Sequence, residues 1–300
     1  MKIGVLMASS NQYSAQTTPH LYVGLIGDPV AHSYSPRFQQ AAFDALSFPA
    51  HYDLWHTPAQ TLAERIHSLY DEHCLGANVT IPHKEGVLPM LDGIDPLAAH
   101  IGAVNTIVHR NGFLHGYNTD APGLLHALQE QGVGELLPDG QVSLKGYTAV
   151  LLGAGGAARG AAFALASASV ERMIIVNRHL ERAQRLATEV QRHFDGSIFS
   201  LSDPLFLIPH HASIIVNATS VGMYEDISPL PVEILAHFDS ETFVFDMIYN
   251  PSQTHLICQA RTMGLRTSNG LSMLLHQGAL AFELWTGRQA PLDVMRASLL

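Results

Sequence analysis

"YTAVLLGAGGAAR", residues 147–159, decides the fold. A short apolar run leads straight into Gly153-Ala154-Gly155-Gly156-Ala157-Ala158, a G-x-G-x-x-A pattern. Glycines there permit a tight turn and let backbone N–H groups approach a pyrophosphate at a helix N-terminus. The bare pattern is weak, but a strand before it and a small-residue helix after it make it specific. The competing reading is a Gly-rich turn that packs a helix onto a sheet.

On both sides of this stretch, short apolar runs alternate with helical patterns. The periodicity predicts strands near 22–26, 51–55, 75–81, 104–109, 147–152, 172–177, 213–217 and 242–247. It predicts helices near 36–47, 58–70, 121–131, 156–168, 180–193 and 271–286. Such alternation implies α/β layers with mainly parallel sheets. A length of 300 residues suits about two domains. The boundary falls near residue 120, because a fresh strand-turn-helix unit opens at Tyr147 after a Gly-rich stretch, 132–146, that reads as a surface loop. Residues 1–20 read as an N-terminal arm, since 9–19 are polar and turn-rich.

Composition excludes several classes. Charged residues make up 14% and the hydrophobic set 47%, which is a folded globular chain rather than a disordered one. A net charge of −10 argues against nucleic acid or an anionic membrane as partner. An anionic ligand must therefore be held by a few local donors. The two cysteines, Cys74 and Cys258, form no metal-type spacing and point to a reducing, cytoplasmic setting. No metal site is expected, and no apolar run is long enough to span a bilayer.

The strand after the glycine loop, "RMIIVNR", should end where an adenosine ribose is read. NAD binders place an acid there. Here Asn177-Arg178 ends the run and Arg182 follows, so a 2′-phosphate, and hence NADP, is favoured. If that turn is helical, Arg178 and Arg182 share a face; solvated surface arginines are the alternative.

Polar clusters mark the first half. In "GDPVAHSYSP", residues 27–36, Ser33 and Ser35 would face the same way in an extended segment and could hold a carboxylate. A helix capped by Ser35 before Pro36 explains them as well. "GAVNT" (102–106) and "GYNTD" (116–120) read as strand ends with polar tips, the place where ligands sit in open α/β sheets. Asn105 and Asp120 equally suit turns or caps. "NVTIPHKE" (78–85) reads as a strand followed by a helix that starts at Pro82. Lys84 would then lie in the first turn, where the helix dipole opposes its charge. In the last helix Gln277 shares a side with Leu274, Ala281 and Leu284, so its amide needs a partner, either a ligand hydroxyl or a backbone carbonyl.

Taken in order, "HSYSP", "NVTIPHKE", "GAVNT", "GYNTD", "GAGGAAR", "NR" with its following arginine, "NATSVGM", "DMIYNP" and the Gln277 helix resemble the shikimate dehydrogenase family. The resemblance runs from about Tyr22 to about Gly287. It implies a catalytic α/β domain (21–120 with 271–300), a Rossmann domain (121–270) and a cleft between them. It implies NADPH-dependent, reversible reduction of 3-dehydroshikimate to shikimate, within aromatic amino-acid biosynthesis, by a monomer or homodimer. Ser33, Ser35, Asn78, Thr80, Asn105, Asp120, Tyr249 and Gln277 would surround the substrate, with Lys84 and Asp120 as the catalytic pair. Gly153, Ala154, Gly155, Gly156, Ala157, Asn177, Arg178, Arg182, Thr219, Met247 and Gly270 would meet the cofactor. A quinate/shikimate dehydrogenase, some of which use NAD, shares most of these motifs. A non-catalytic regulator on the same fold is a third reading, because a fold alone does not give function.

Overall fold

A computed structural model describes residues 20–201 and 211–299. The expected N-terminal arm, apart from His20, lies outside the described residues. The chain runs β1 (Leu21–Gly27), α1 (Ser35–Ala45), β2 (Ala50–His56), α2 (Leu62–His67), β3 (Cys74–Val79), β4 (Gly93–Ile94), α3 (Pro96–Ile101), β5 (Thr106–Arg110), β6 (Phe113–Tyr117) and α4 (Asp120–Glu130). It continues through β7 (Glu135–Leu136), β8 (Val142–Ser143), β9 (Thr148–Leu152), α5 (Gly156–Ser167), β10 (Arg172–Val176), α6 (Leu180–Gln191), β11 (Ser197–Leu201) and β12 (Ile214–Asn217). It closes with α7 (Val232–Leu235), β13 (Phe243–Asp246), α8 (His255–Thr262), β14 (Arg266–Asn269), α9 (Leu271–Thr286) and α10 (Leu292–Ala297).

The second half forms a six-stranded, all-parallel sheet in the order β11-β10-β9-β12-β13-β14. Counted from β9, this is the doubly wound 3-2-1-4-5-6 order, and its direction reverses between β9 and β12. The central strands are near-continuous apolar runs because helices cover both faces. β12 and β13, for example, are buried along their whole length. The β9–α5 turn, which carries the glycine loop, sits at that reversal.

The first half forms a mixed sheet, β2-β1-β3-β5-β6-β4. β2, β1 and β3 are parallel, whereas β5 runs antiparallel to both β3 and β6. That reversal corrects the reading of "GAVNT" as a strand end. Asn105 and Thr106 stand at the start of β5, and pairing of Asn78 with Thr106 brings this start beside the end of β3. "GYNTD" does follow a strand, β6, whose end meets the same place because β5 and β6 are also antiparallel. α1, α9 and α10 cover one face through Phe38, Phe43, Phe282, Trp285 and Met295; Ile66, Leu69, Ile107 and Leu114 fill the other. α9 thus joins the first sheet although it follows the second in sequence.

The helix expected after Pro82 does not form. Residues 81–87 are turns, and the next helical residues are a 3-10 turn at Leu88–Met90. Gly86 and Pro89 disfavour an α-helix there. The Lys84 carbonyl accepts from the Val104 N–H at 2.8 Å, so it is committed to the strand entry beside it. The expected helix over 58–70 is α2 flanked by two 3-10 turns. The stretch expected as a loop, 132–146, contains the small β7–β8 hairpin.

Candidate active site

A buried polar lattice organises the first-sheet end of the cleft. Asn78, at the end of β3, accepts from the Tyr52 hydroxyl at 2.8 Å and donates to the Asn105 carbonyl at 3.2 Å and to Thr106 Oγ1 at 3.1 Å. Asn105 accepts from the Thr119 N–H at 2.7 Å and donates to Thr119 Oγ1 at 2.9 Å and Gln277 Oε1 at 3.3 Å. Gln277 in turn donates to the Leu274 carbonyl at 2.8 Å, the backbone partner that its burial called for. Buried amides are held in one orientation only when every group is satisfied, so this lattice fixes the Asn78 and Asn105 heads. Burial drives the Tyr52 hydroxyl pKa well above the phenol range, so the group stays a neutral donor.

Lys84 and Asp120 meet at the edge of this lattice. Lys84 Nζ donates to Asp120 Oδ2 at 2.6 Å, and both side chains are partly exposed. Asp120 is the first residue of α4, where a carboxylate suits the helix dipole. The dipole that was expected to act on Lys84 is therefore replaced by a carboxylate contact.

Ser33 and Ser35 do not lie in an extended segment. Ser33 sits in the turn before α1, yet its hydroxyl lies 3.1 Å from that of Ser35 and accepts from the Ser35 N–H at 3.2 Å. Tyr34, not Ser35, occupies the N-cap position of α1 and makes no side-chain cap bond. Both hydroxyls line a cavity of about 530 Å³ together with Asn78, Thr80, Lys84, Asn105, Asp120, Met247, Tyr249, Gly270 and Gln277. Every residue expected at the substrate, with the catalytic pair, thus borders one space.

A second cavity of about 410 Å³ carries Lys84 and Asp120 on one wall and Gly156 and Ala157 on another. It connects the pair with the start of α5. Gly153 has φ +110, a conformation that favours glycine, and it turns the chain from β9 toward α5. Side chains built at Gly155 or Gly156 would meet nothing within 4 Å, which leaves open space above the helix start. Thr219 packs near Gly153 and bonds the Asn217 amide oxygen through both its N–H and its hydroxyl. Gly270 lies so close to the Met247 carbonyl that any side chain would clash with it. Asn177 follows β10 and donates to the His179 carbonyl at 2.9 Å. Arg178 precedes α6 rather than lying on it, and Arg178 and Arg182 are both exposed. Gly153, Ala154, Gly155, Asn177, Arg178, Arg182 and Thr219 line neither cavity. A dinucleotide phosphate fits this loop, with first-turn N–H groups open to it and two guanidinium groups nearby, Arg178 just past β10 and Arg182 in the first turn of α6.

Sequence reasoning missed several residues. Tyr52 lies mid-strand with no motif around it. Tyr34 packs against Tyr249 with ring centroids 5.7 Å apart, and burial, followed by Tyr34, raises the Tyr249 pKa. Asp246 is fully buried and accepts from Asn217 at 2.9 Å, Thr254 at 2.6 Å and the Ile248 N–H at 3.1 Å. Burial raises its pKa. Its place in "DMIYNP" was the available signal, for it ties the Met247–Tyr249 loop to the end of β12. Among the described residues no group of three or more His, Cys, Asp or Glu could hold a metal.

A parallel sheet with a glycine loop at its reversal point, facing a lysine held by a second lobe, defines a two-domain dinucleotide-linked dehydrogenase. Family models narrow this. The shikimate dehydrogenase substrate binding domain matches residues 25–107, shikimate / quinate 5-dehydrogenase matches 136–246, and the shikimate 5'-dehydrogenase C-terminal domain matches 270–300. The chain is 42% identical over 291 residues to the shikimate dehydrogenase (NADP+) of Symbiobacterium thermophilum, covering 96% of each chain. It also resembles the Thermus thermophilus shikimate 5-dehydrogenase solved with NADP(H) and shikimate (38% identity, TM-score 0.80, 93% and 98% of the two chains covered). The ligand-free 5-ketofructose reductase of a Gluconobacter strain is similar as well (33% identity, TM-score 0.85, 93% and 97% covered). The chain belongs to the shikimate dehydrogenase family. Among the described residues no helix is long and apolar enough to cross a membrane.

Proposed function

We propose that this chain catalyses the reversible, NADPH-dependent reduction of 3-dehydroshikimate to shikimate. The carrying observation is the Lys84–Asp120 pair at 2.6 Å, which borders both the hydroxyl- and amide-lined cavity and the one that reaches the glycine loop. When bound, NADPH supplies the hydride. Lys84 donates the proton to the carbonyl oxygen as negative charge gathers there, and it recovers one from solvent. Asp120 holds the ammonium in place and accepts a substrate hydroxyl. Ser33 and Ser35 donate to the substrate carboxylate, while the Asn78, Thr80, Asn105 and Gln277 heads and the Tyr249 hydroxyl read the ring hydroxyls. Met247 and Gly270 would flank the nicotinamide, the loop from Gly153 to Ala157 with Thr219 would hold the pyrophosphate, and Asn177, Arg178 and Arg182 would hold the ribose 2′-phosphate.

Residues 21–120 and 271–300 act as the substrate-binding domain and 121–270 as the cofactor domain, with 1–20 as an arm. The chain works in the cytoplasm as a monomer or homodimer. Steady-state oxidation of shikimate and of quinate, each with NADP and with NAD, tests the reading. The expected kcat/KM is highest for shikimate with NADP. Preference for quinate or for NAD would replace it with the broader dehydrogenase, and no turnover of either substrate would refute catalysis.

A further inference from the structure

Arg159 stands in the first turn of α5, just past the glycine loop, and its N–H donates to the Gly155 carbonyl at 2.8 Å. The guanidinium reaches across to the other sheet's α3 and donates to its last carbonyls, those of Ile101 and of His100 (3.1 Å for the latter). Nη1 pairs with Glu189 of α6, and the guanidinium stands over the Phe163 ring, 5.0 Å from its centroid. A short helix leaves its terminal carbonyls unpaired, and a cation there satisfies both the bonds and the dipole. This cation comes from the opposite lobe.

The gripped end leads directly into the active site. Gly102, with φ +71, ends α3 and turns the chain into 103–105. The Ala103 carbonyl accepts from Asn118 at 3.0 Å, and the Val104 N–H donates to the Lys84 carbonyl at 2.8 Å. Asn105 then enters the amide lattice. One continuous path of hydrogen bonds and backbone therefore runs from the helix that begins at the glycine loop, through Arg159 and the end of α3, to the backbone of the catalytic lysine. Burial also lowers the Arg159 pKa, with Glu85 opposing.

We propose that Arg159 is a positioning residue that couples the cofactor loop to the Lys84 lobe and so sets the distance across which hydride and proton are delivered. The inference rests on the proposed dehydrogenase function, and its test separates the two. Hydrogen–deuterium exchange is read for the unsubstituted chain and for Arg159→Ala, each with and without NADPH, alongside shikimate kinetics. NADPH should slow exchange both at 153–165 and at 96–105 in the unsubstituted chain. In Arg159→Ala it should slow only the first segment, and kcat should fall about 10- to 100-fold with KM values changed less than about threefold. Arg159→Lys, which can still reach one carbonyl, should recover part of kcat.

Equal protection of 96–105 in Arg159→Ala would overturn the coupling, as would a folded variant with unchanged kcat. A loss confined to the NADPH KM would also overturn it, because it would make Arg159 a ligand contact. Failure of the functional reading shows elsewhere, as an unsubstituted chain that oxidises no shikimate.

Discussion

Gly123 leaves no room for a side chain where α4 crosses α9. A Cβ there would lie 2.8 Å from both the Cβ and the backbone nitrogen of Gln277, against the 3.4 Å at which ordinary contact begins. Gly123→Ala must therefore part the two helices by about 0.6 Å, since close-packed interiors give little. The wedge enters between two site residues. Gln277, on α9, accepts from Asn105, and Asp120, one turn earlier on α4, holds Lys84. Overpacking costs about 1–3 kcal/mol, and the gain of alanine over glycine within a helix returns about 1 kcal/mol. The net is a loss of roughly 0–2 kcal/mol, a fall of several degrees at most in Tm. Activity should suffer more, because a shift approaching 1 Å in a catalytic geometry can cost on the order of 100-fold. Thermal melts and NADPH absorbance during shikimate oxidation measure both effects. A variant with an unchanged Tm and unchanged kcat would refute the claim that this crossing sets the site.

Arg178→Ala should lower kcat/KM with NADP by about 10-fold or more and leave NAD turnover nearly unchanged, because a charge-assisted phosphate bond contributes about 1.5–3 kcal/mol; a retained NADP/NAD ratio in parallel assays would contradict the clamp. The His126 and His276 rings lie tilted against each other with centroids 5.8 Å apart, and burial lowers both pKa values, so the fold holds them neutral while the unfolded chain takes up protons. Stability is then fully present above the ordinary value near ~6.5 and is lost as pH falls toward the folded pKa, by at most about 1.4 kcal/mol per pH unit for each proton. His126→Gln should lose less stability in urea titrations between about pH 7.5 and 5.5, and an equal loss would remove His126 from the acid limb.

Much of the architecture is legible because local and global signals agree in it. The β9 run, its glycine turn and the small-residue helix α5 carry their own periodicity, and so do the apolar strands β10, β12 and β13. The first sheet is harder to read. Nothing local to "GAVNT" says that β5 runs antiparallel, since strand direction is set by its partners β3 and β6. The helix expected at Pro82 fails for a local reason, Gly86 and Pro89, and for a distant one. The proline signal is local, while the bond from the Val104 N–H that claims the Lys84 carbonyl comes from a distant segment.

Site residues inside ordered motifs are visible in the sequence, and those that act from behind are not. Tyr52 supports Asn78 from an unremarkable strand position. Asp246 lies within a quoted motif, but its role depends on Asn217 and Thr254, which only the fold brings to it. Arg159 reads locally as the tail of a phosphate loop, although its guanidinium faces the other lobe.

Lys84 is the proposed proton donor and acceptor. The direct measurement is kcat for shikimate oxidation with NADP by Lys84→Ala, with shikimate binding followed separately. Loss of general acid–base catalysis predicts a fall of about 10²- to 10⁴-fold in kcat while shikimate still binds. A Lys84→Ala chain that turns over within about threefold of the unsubstituted one would contradict the central claim.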